Sequence, residues 1–207
     1  DVGTDGRYVA FASASSNLTP ESAGGDIQQD LYVRDTANDT TAYAARNAST
    51  SVVWGLARFS PDGEHLLYES AASDEVAGIP DTNGKPDLFL YELATGEKSV
   101  VTINADATAT GDTLSTSVDD PVLSPNGRYI SFVSAALDWV PDFTTSSPRD
   151  LFVRDLVAGA TMLVTAGLDG GGVGYDQGAT RDAEFSPDNR FLVFTDNALL
   201  ASPVTTA

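Results

Sequence analysis

The chain has 207 residues, and its hydrophobic content of 42% is enough to pack one large domain or two small ones. Thirty acidic residues against eleven basic ones give a net charge of −19, which argues against nucleic acid as a partner because phosphate binding needs clustered Lys and Arg. The absence of cysteine excludes disulfides and cysteine-ligated zinc, and no apolar run is long enough to predict a membrane span.

Tight turns are predicted about every 60 residues, where a tetrad of the Ser-Pro-Asp-Gly type recurs. Proline presets the backbone for the turn and glycine accepts positive φ, so each tetrad is suited to join two antiparallel strands. Asn189 stands where the fourth tetrad needs glycine, and asparagine is the next best residue for left-handed backbone. The tetrad or a close variant occurs at Asp5-Gly6-Arg7-Tyr8, Ser60-Pro61-Asp62-Gly63, Ser124-Pro125-Asn126-Gly127 and Ser186-Pro187-Asp188-Asn189.

A strand follows each turn, at residues 7–11, 65–69, 128–132 and 190–194. These segments are apolar at nearly every position instead of alternating, a pattern typical of a sheet covered on both faces. A third strand opens with an aspartate that lies 24, 24 and 23 residues after the turn glycine, at Asp30, Asp87 and Asp150. Further short strands before each tetrad and after each third strand complete four antiparallel strands per unit.

Both-face burial combined with a fixed repeat predicts an all-β fold, a β-propeller of four-stranded antiparallel blades. We predict one partial propeller over residues 1–207, with repeats at about 1–55, 56–119, 120–181 and 182–207, giving about three full blades and a partial one. A closed ring needs about four to eight blades. The chain starts at Asp1 without an initiator Met or a signal peptide, so we interpret it as part of a larger ring. The alternative is that its two ends complete a minimal ring.

The run FSPDGEHLLYES, followed by DTNGKPDLFLYELATGEKSVV, resembles the TolB-type, WD-repeat-like propeller repeat of bacterial periplasmic and surface proteins. The resemblance extends over essentially the whole chain. It implies a propeller fold and a periplasmic, cell-surface or extracellular location in a bacterium or archaeon. Such repeats occur in proteins of many functions, so the resemblance implies no activity.

The longest loops are predicted to share one end of the blades, at residues 15–29, 72–86 and 135–149 and between blades. Long loops on a rigid scaffold are where binding usually resides, so we expect the contact surface there. Trp54, Trp139 and Tyr175 lie in or near these loops and are candidates for binding protein or carbohydrate. The alternative for Trp139 is a loop anchor that packs on its blade.

One loop carries a candidate calcium site. Asp81, Asn83 and Asp87 place side-chain oxygens around a glycine, as in half of a calcium loop, but the closing bidentate Glu is absent. The alternative is structural, with the aspartates at positions 30, 87 and 150 accepting hydrogen bonds where the third strand begins. No other cofactor is predicted.

Catalysis has little support in the sequence. The single histidine, His65, falls on a predicted buried strand, and no Ser-His-Asp set or Gly-x-Ser-x-Gly elbow is present. We therefore predict a non-enzymatic extracellular or cell-surface module for protein–protein interaction or self-assembly. The alternatives are the propeller portion of a larger hydrolase of the prolyl-oligopeptidase type, and a carbohydrate-binding propeller.

Overall fold

The computed structural model describes residues 1–21, 29–46, 57–111, 119–141, 149–166 and 183–195. The predicted candidates Trp54 and Tyr175 lie outside these residues. The chain divides into two compact units, Asp1–Val101 and Thr102–Ala207, and each is described by itself. Every regular element among the described residues is a β-strand. No helix in that part of the chain is long and apolar enough to cross a membrane.

The first unit contains two antiparallel sheets of consecutive strands. The first sheet has the order β1-β2-β3, and Val2 adds an isolated antiparallel bridge to Val9 at its open edge. The second has four strands in the order β4-β5-β6-β7. The bounds are β1 Tyr8–Ser13, β2 Asp30–Asp35, β3 Thr40–Ala45, β4 Arg58–Phe59, β5 His65–Ser70, β6 Asp87–Glu92 and β7 Lys98–Val100.

The second unit repeats the same plan. Its first sheet has four strands in the order β11-β10-β9-β8, and its second, among the described residues, has the two strands β12 and β13. The bounds are β8 Asp119–Leu123, β9 Tyr129–Ser134, β10 Asp150–Asp155, β11 Ala160–Leu163, β12 Glu184–Phe185 and β13 Leu192–Val193. All pairings are antiparallel between neighbours in sequence, as the strands of a propeller blade are.

The four tetrad turns share the same backbone hydrogen bond. The residue in the glycine position donates its backbone N–H to the carbonyl of the residue three before it, at 2.8–2.9 Å. Each tetrad serine accepts the N–H of the second residue after the glycine position, at 2.9–3.0 Å. Asn189 has a φ of 60°, against 67–75° for the three tetrad glycines, so the prediction that asparagine keeps this turn is confirmed.

The middle strands are buried on both faces, as the non-alternating sequence predicts. In β6 and β9, five of the six residues are buried. In three of the sheets, the strand after the tetrad turn and the strand that follows it also place aromatic rings side by side at equivalent positions, with centroids 5.6–6.0 Å apart. These pairs are Phe11–Tyr32, Tyr68–Phe89 and Phe132–Phe152. The predicted fold class, an all-β chain of antiparallel propeller blades, is confirmed, and the described residues include two strands of the last blade.

Candidate functional site

At the turn end of the first blade, Arg7 and Asp35 form a two-pronged ion pair. Arg7 donates Nε–H to Oδ1 at 3.0 Å and Nη2–H to Oδ2 at 2.7 Å. The same carboxylate accepts backbone N–H groups from Ala37 and Asn38 and the side-chain amide of Asn38. The hydrogen bond from Arg7 is the largest cause that lowers the pKa of Asp35, and the bonds from Asn38 and Ala37 lower it further, so this pKa lies well below its ordinary value. Asp35 therefore ties the second strand, the turn after it and the tetrad turn together.

The third blade repeats this ion pair atom for atom. Arg128 donates Nε–H and Nη2–H to the two Asp155 oxygens at 3.0 and 2.6 Å. Asp155 also accepts the backbone N–H groups of Val157 and Ala158. Chiefly through the Arg128 bond, the pKa of Asp155 falls from 3.8 to about 2.

We expect Asp155→Asn to lower the free energy of unfolding by about 1 kcal/mol near neutral pH, since the pair is charge-assisted but Arg128 is half exposed. Because the folded-state pKa is depressed, this contribution is present above the ordinary value of 3.8 and is lost as pH falls towards about 2. Urea unfolding of wild type and variant as pH is lowered should show the two curves converging through that interval. The exposed Asp106→Asn is the control, and parallel curves for Asp155→Asn and wild type would contradict the assignment.

The second blade has no arginine at the position of Arg7 and Arg128. Glu64 follows its turn glycine where Arg7 and Arg128 follow theirs, and the opposing acid is Glu92. The register is otherwise the same: Tyr8, His65 and Tyr129 face Asp35, Glu92 and Asp155 respectively. Glu64 and Glu92 therefore hold the sequence positions of the ion pair in the other blades, and like charges on facing positions of paired strands destabilise a sheet.

Glu64→Arg is expected to stabilise the chain by about 0.5 kcal/mol, because it recreates the pair of the other blades at a partly exposed site. Glu64→Gln, which removes the repulsion without adding a partner, is the control. Thermal unfolding at low and high salt measures both effects, since an exposed pair weakens as salt is added. An arginine variant no more stable than the glutamine variant at low salt would contradict this prediction.

A groove opens beside the ion pair of the first blade. Its volume is about 410 Å³, and Arg7, Asp35, Asn38 and Tyr91 are among the side chains that line it. The Arg7 and Asn38 donors are both directed at Asp35. The groove is therefore walled by groups that hold the blade together.

At the loop end of the second blade lies a buried charge network that the sequence does not predict. The Glu75 side chain is 3% exposed and accepts hydrogen bonds from Tyr68 at 2.9 Å and Lys98 at 2.7 Å. Ser70 Oγ lies 3.4 Å from its other oxygen. Burial raises the pKa of the Tyr68 phenol, and the negative charge of Glu75 raises it further. The phenol therefore keeps its proton and donates a hydrogen bond. These contacts fold the loop after β5 back onto its own blade.

Lys98 extends this network to the first blade. Its ammonium lies 6.0 Å from the ring centroid of Tyr43, within reach of a cation–π contact. Burial raises the pKa of Tyr43, and the Asp30 and Glu75 carboxylates raise it further. The network thus joins two blades of one unit, and it supports the exposed part of the loop, where the Asp74 side chain is 72% exposed.

Trp139 occupies the equivalent place in the third blade. Its indole stands edge-on against Phe132 and Phe152, with centroids at 4.9 and 5.2 Å, and the residue is 2% exposed. The indole N–H has no hydrogen-bond partner among the described residues. The structure thus places Trp139 as a loop anchor, so it presents no open ring to a ligand.

The candidate calcium residues hold a turn. Asp81 Oδ1 accepts the backbone N–H groups of Asn83 and Gly84, at 2.9 and 2.8 Å, and Asn83 Oδ1 accepts that of Lys85. Asp87 is 2% exposed at the start of β6, opposite Ser70. The loop's geometry is accounted for by these bonds, and calcium binding stays a prediction.

His65 lies half-buried at the start of β5. Its ring nitrogen, Asp62 and Glu64 bring ligand atoms within 4.8 Å of one another, the single such group among the described residues. Asp62 is exposed, and its Oδ1 is already bonded to the Ser60 hydroxyl and the Glu64 N–H. The three residues therefore belong to the tetrad turn of the second blade.

No protein-family model matches the chain, and no curated protein matches it either. Solved structures of propeller proteins are similar to it. TolB from Acinetobacter baumannii is 17% identical with a TM-score of 0.47, over 93% of this chain and 36% of TolB. The β-propeller domain of the Trilobed protease from Pyrococcus furiosus is 10% identical with a TM-score of 0.43, over 76% of this chain and 38% of that one.

Oligogalacturonate lyase from Vibrio parahaemolyticus is 13% identical with a TM-score of 0.46, over 78% of this chain and 37% of the lyase. The likeness is one of fold. The predicted propeller repeat is confirmed by the antiparallel blades of the structure itself. The chain spans well under half the length of each of these structures, and nothing about its activity or partners follows from them.

Proposed function

We propose that this chain is a non-enzymatic propeller module that binds other proteins through the loop end of its blades. The observation that carries the proposal is the anchored loop of the second blade, residues 72–86. Glu75 fixes its first half to the sheet, and the Asp81 turn shapes its second half. A loop held in this way presents a preorganised surface, which lowers the entropy lost on binding.

The charge of the chain supports an extracellular, periplasmic or cell-surface setting. A net charge of −19 favours solubility and repels nucleic acid and anionic membrane surfaces. Asp74 and Ala77, on the exposed side of the anchored loop, face solvent. Asp74 is ion-paired with the exposed Arg46 at 3.2 Å, and the excess of acidic over basic residues in the whole chain suits a partner with basic side chains.

Site-specific photo-crosslinking tests this proposal. A benzophenone amino acid at Asp74 or Ala77 captures proteins that contact the loop end. The same group at the exposed Ala94 or Val157 captures proteins that contact the turn end. We expect adducts with a protein of the source organism's envelope or culture medium from the loop-end positions alone. Excess unlabelled chain should abolish them, and excess Asp74→Lys chain should compete less well. Adducts confined to the turn end, or none at the loop end, would overturn the proposal.

A further inference from the structure

The groove beside the Arg7–Asp35 ion pair is built by two consecutive blades of the first unit. Its volume of about 410 Å³ falls in the range of small-molecule sites, roughly 300–1,000 Å³. The lining residues of the first blade include Tyr8, Val33, Thr40 and Ala42, and those of the second are Tyr91, Leu93 and Ala94. The chain therefore supplies both walls of the groove.

Tyr91 brings an unsatisfied hydroxyl to this groove. The residue is 6% exposed, and its phenol has no hydrogen-bond partner among the described residues. Burial raises the pKa of this phenol, and the Tyr8 phenol raises it further, so the hydroxyl keeps its proton at neutral pH. A buried hydroxyl without a partner destabilises a fold, so groups of this kind are rare and call for a ligand or a bound water.

The first and third blades provide a partner for the side chain at this position. Arg34 and Arg154 take the place of Tyr91, and each donates Nη1–H to the threonine opposite it on the next strand, at 3.1 and 3.2 Å. In the second blade the residue opposite Tyr91 is Lys98, whose ammonium donates to Glu75 instead. The second blade therefore departs from the repeat by leaving a polar group unpaired at the groove.

Two further polar groups of the first blade are available at the groove. The Thr40 hydroxyl has no hydrogen-bond partner among the described residues. Asn38 donates its side-chain N–H to Asp35, and its amide oxygen accepts no bond from those residues. The charges of Arg7 and Asp35 compensate each other through their two bonds. The groove therefore offers hydroxyl and amide groups between apolar side chains, without a net charge.

We propose that this groove binds a short neutral saccharide. Sugar hydroxyls both donate and accept hydrogen bonds, which matches the hydroxyls of Tyr91 and Thr40 and the amide oxygen of Asn38. The C–H faces of a sugar ring suit the apolar lining and the ring of Tyr8. Anionic sugars are disfavoured, because the chain has a net charge of −19 and the Arg7 guanidinium is already paired. The site goes beyond the proposed function, which concerns proteins at the loop end.

Saturation-transfer difference NMR of the 207-residue chain with maltose, cellobiose, lactose and N,N′-diacetylchitobiose tests the groove. We expect at least one of these disaccharides to bind. Tyr91→Phe and Thr40→Val should each weaken that binding about three- to tenfold, the effect of losing one hydrogen bond. Tyr129→Phe, which removes a hydroxyl outside the groove, is the matched control and should bind like wild type. Urea unfolding should show all three variants folded, with Tyr91→Phe at least as stable as wild type, because the hydroxyl it removes has no partner in the described fold.

Digalacturonate is the anionic probe in the same titration, and it should bind more weakly than the best neutral disaccharide. Three results would overturn the inference: no binding of any of the four neutral disaccharides at about 10 mM, a Tyr91→Phe chain that binds as tightly as wild type, or tighter binding of digalacturonate. Crosslinking at the loop end examines a different surface, so neither experiment decides the other.

Discussion

Gly111→Ala is expected to lower the free energy of unfolding by about 2–3 kcal/mol, because it overpacks the space beside a buried indole. A Cβ at this position would lie 1.7 Å from Trp139 Nε1 and 2.5 Å from Cε2. The indole cannot retreat, because it is held edge-on between Phe132 and Phe152. Chemical denaturation monitored by tryptophan fluorescence measures the loss.

Gly3→Ala is the control for that prediction, since a Cβ there meets its nearest neighbours at 3.5–3.6 Å, an ordinary contact distance. Combining Gly111→Ala with Trp139→Ala should cost less than the sum of the two single changes, because the clash disappears with the indole. A Gly111→Ala protein as stable as the Gly3→Ala protein, or strict additivity in the double variant, would contradict the anchor role of Trp139.

Lys98→Met is expected to destabilise the chain by about 2–3 kcal/mol, since it leaves the Glu75 carboxylate buried without its cation. The Glu75 side chain is 3% exposed and that of Lys98 25%, so solvent replaces little of the lost interaction. Lys85→Met, which removes the chain's other lysine from the same blade, is the control. Urea unfolding at neutral pH compares the two.

The double variant Glu75→Leu with Lys98→Met should recover much of this loss. Replacing both members of a buried pair by apolar side chains removes the uncompensated charge and keeps the packing. A double variant less stable than Lys98→Met alone would show that the network contributes through its hydrogen bonds to Tyr68 and Ser70 and not through the ion pair.

The repeat predicted the fold because each element carries its own local signal. Proline and a left-handed residue define the tetrad turns, and unbroken apolar runs such as the one opening at Leu66 define strands buried on both faces. The predicted strand at 65–69 is observed as His65–Ser70, and the third strand of the second repeat, which opens at Asp87, as Asp87–Glu92. These features depend on neighbours in sequence, so no knowledge of the tertiary structure was needed.

The ion pairs and the Glu75 network depend on contacts between distant residues, and the sequence did not predict them. Arg7 and Asp35 are 28 residues apart and meet through the register of β1 with β2. The sequence nevertheless contains a signal for the ion pairs, because arginine and aspartate occur together in the first and third blades, and glutamate occupies both positions in the second. Glu75 offers no such signal, since the third blade has Trp139 in the corresponding place.

The loop end was predicted only in outline. Its anchors, Glu75 and Trp139, are fixed by burial against aromatic rings of the sheets, which is a tertiary property. The oxygens of Asp81 and Asn83 were compatible with a cation or with a turn from sequence alone, and their hydrogen bonds to backbone N–H groups account for the turn.

Nuclear Overhauser contacts between selectively labelled rings would examine the stacking of consecutive blades most directly. The structure predicts cross-peaks between the ring protons of Tyr8 and Phe59, and between those of Tyr129 and Phe185, whose planes are inclined by 33° and 23°. Finding both pairs would establish the ring contact between consecutive blades of each unit. Well-resolved spectra in which neither pair is connected would contradict that contact.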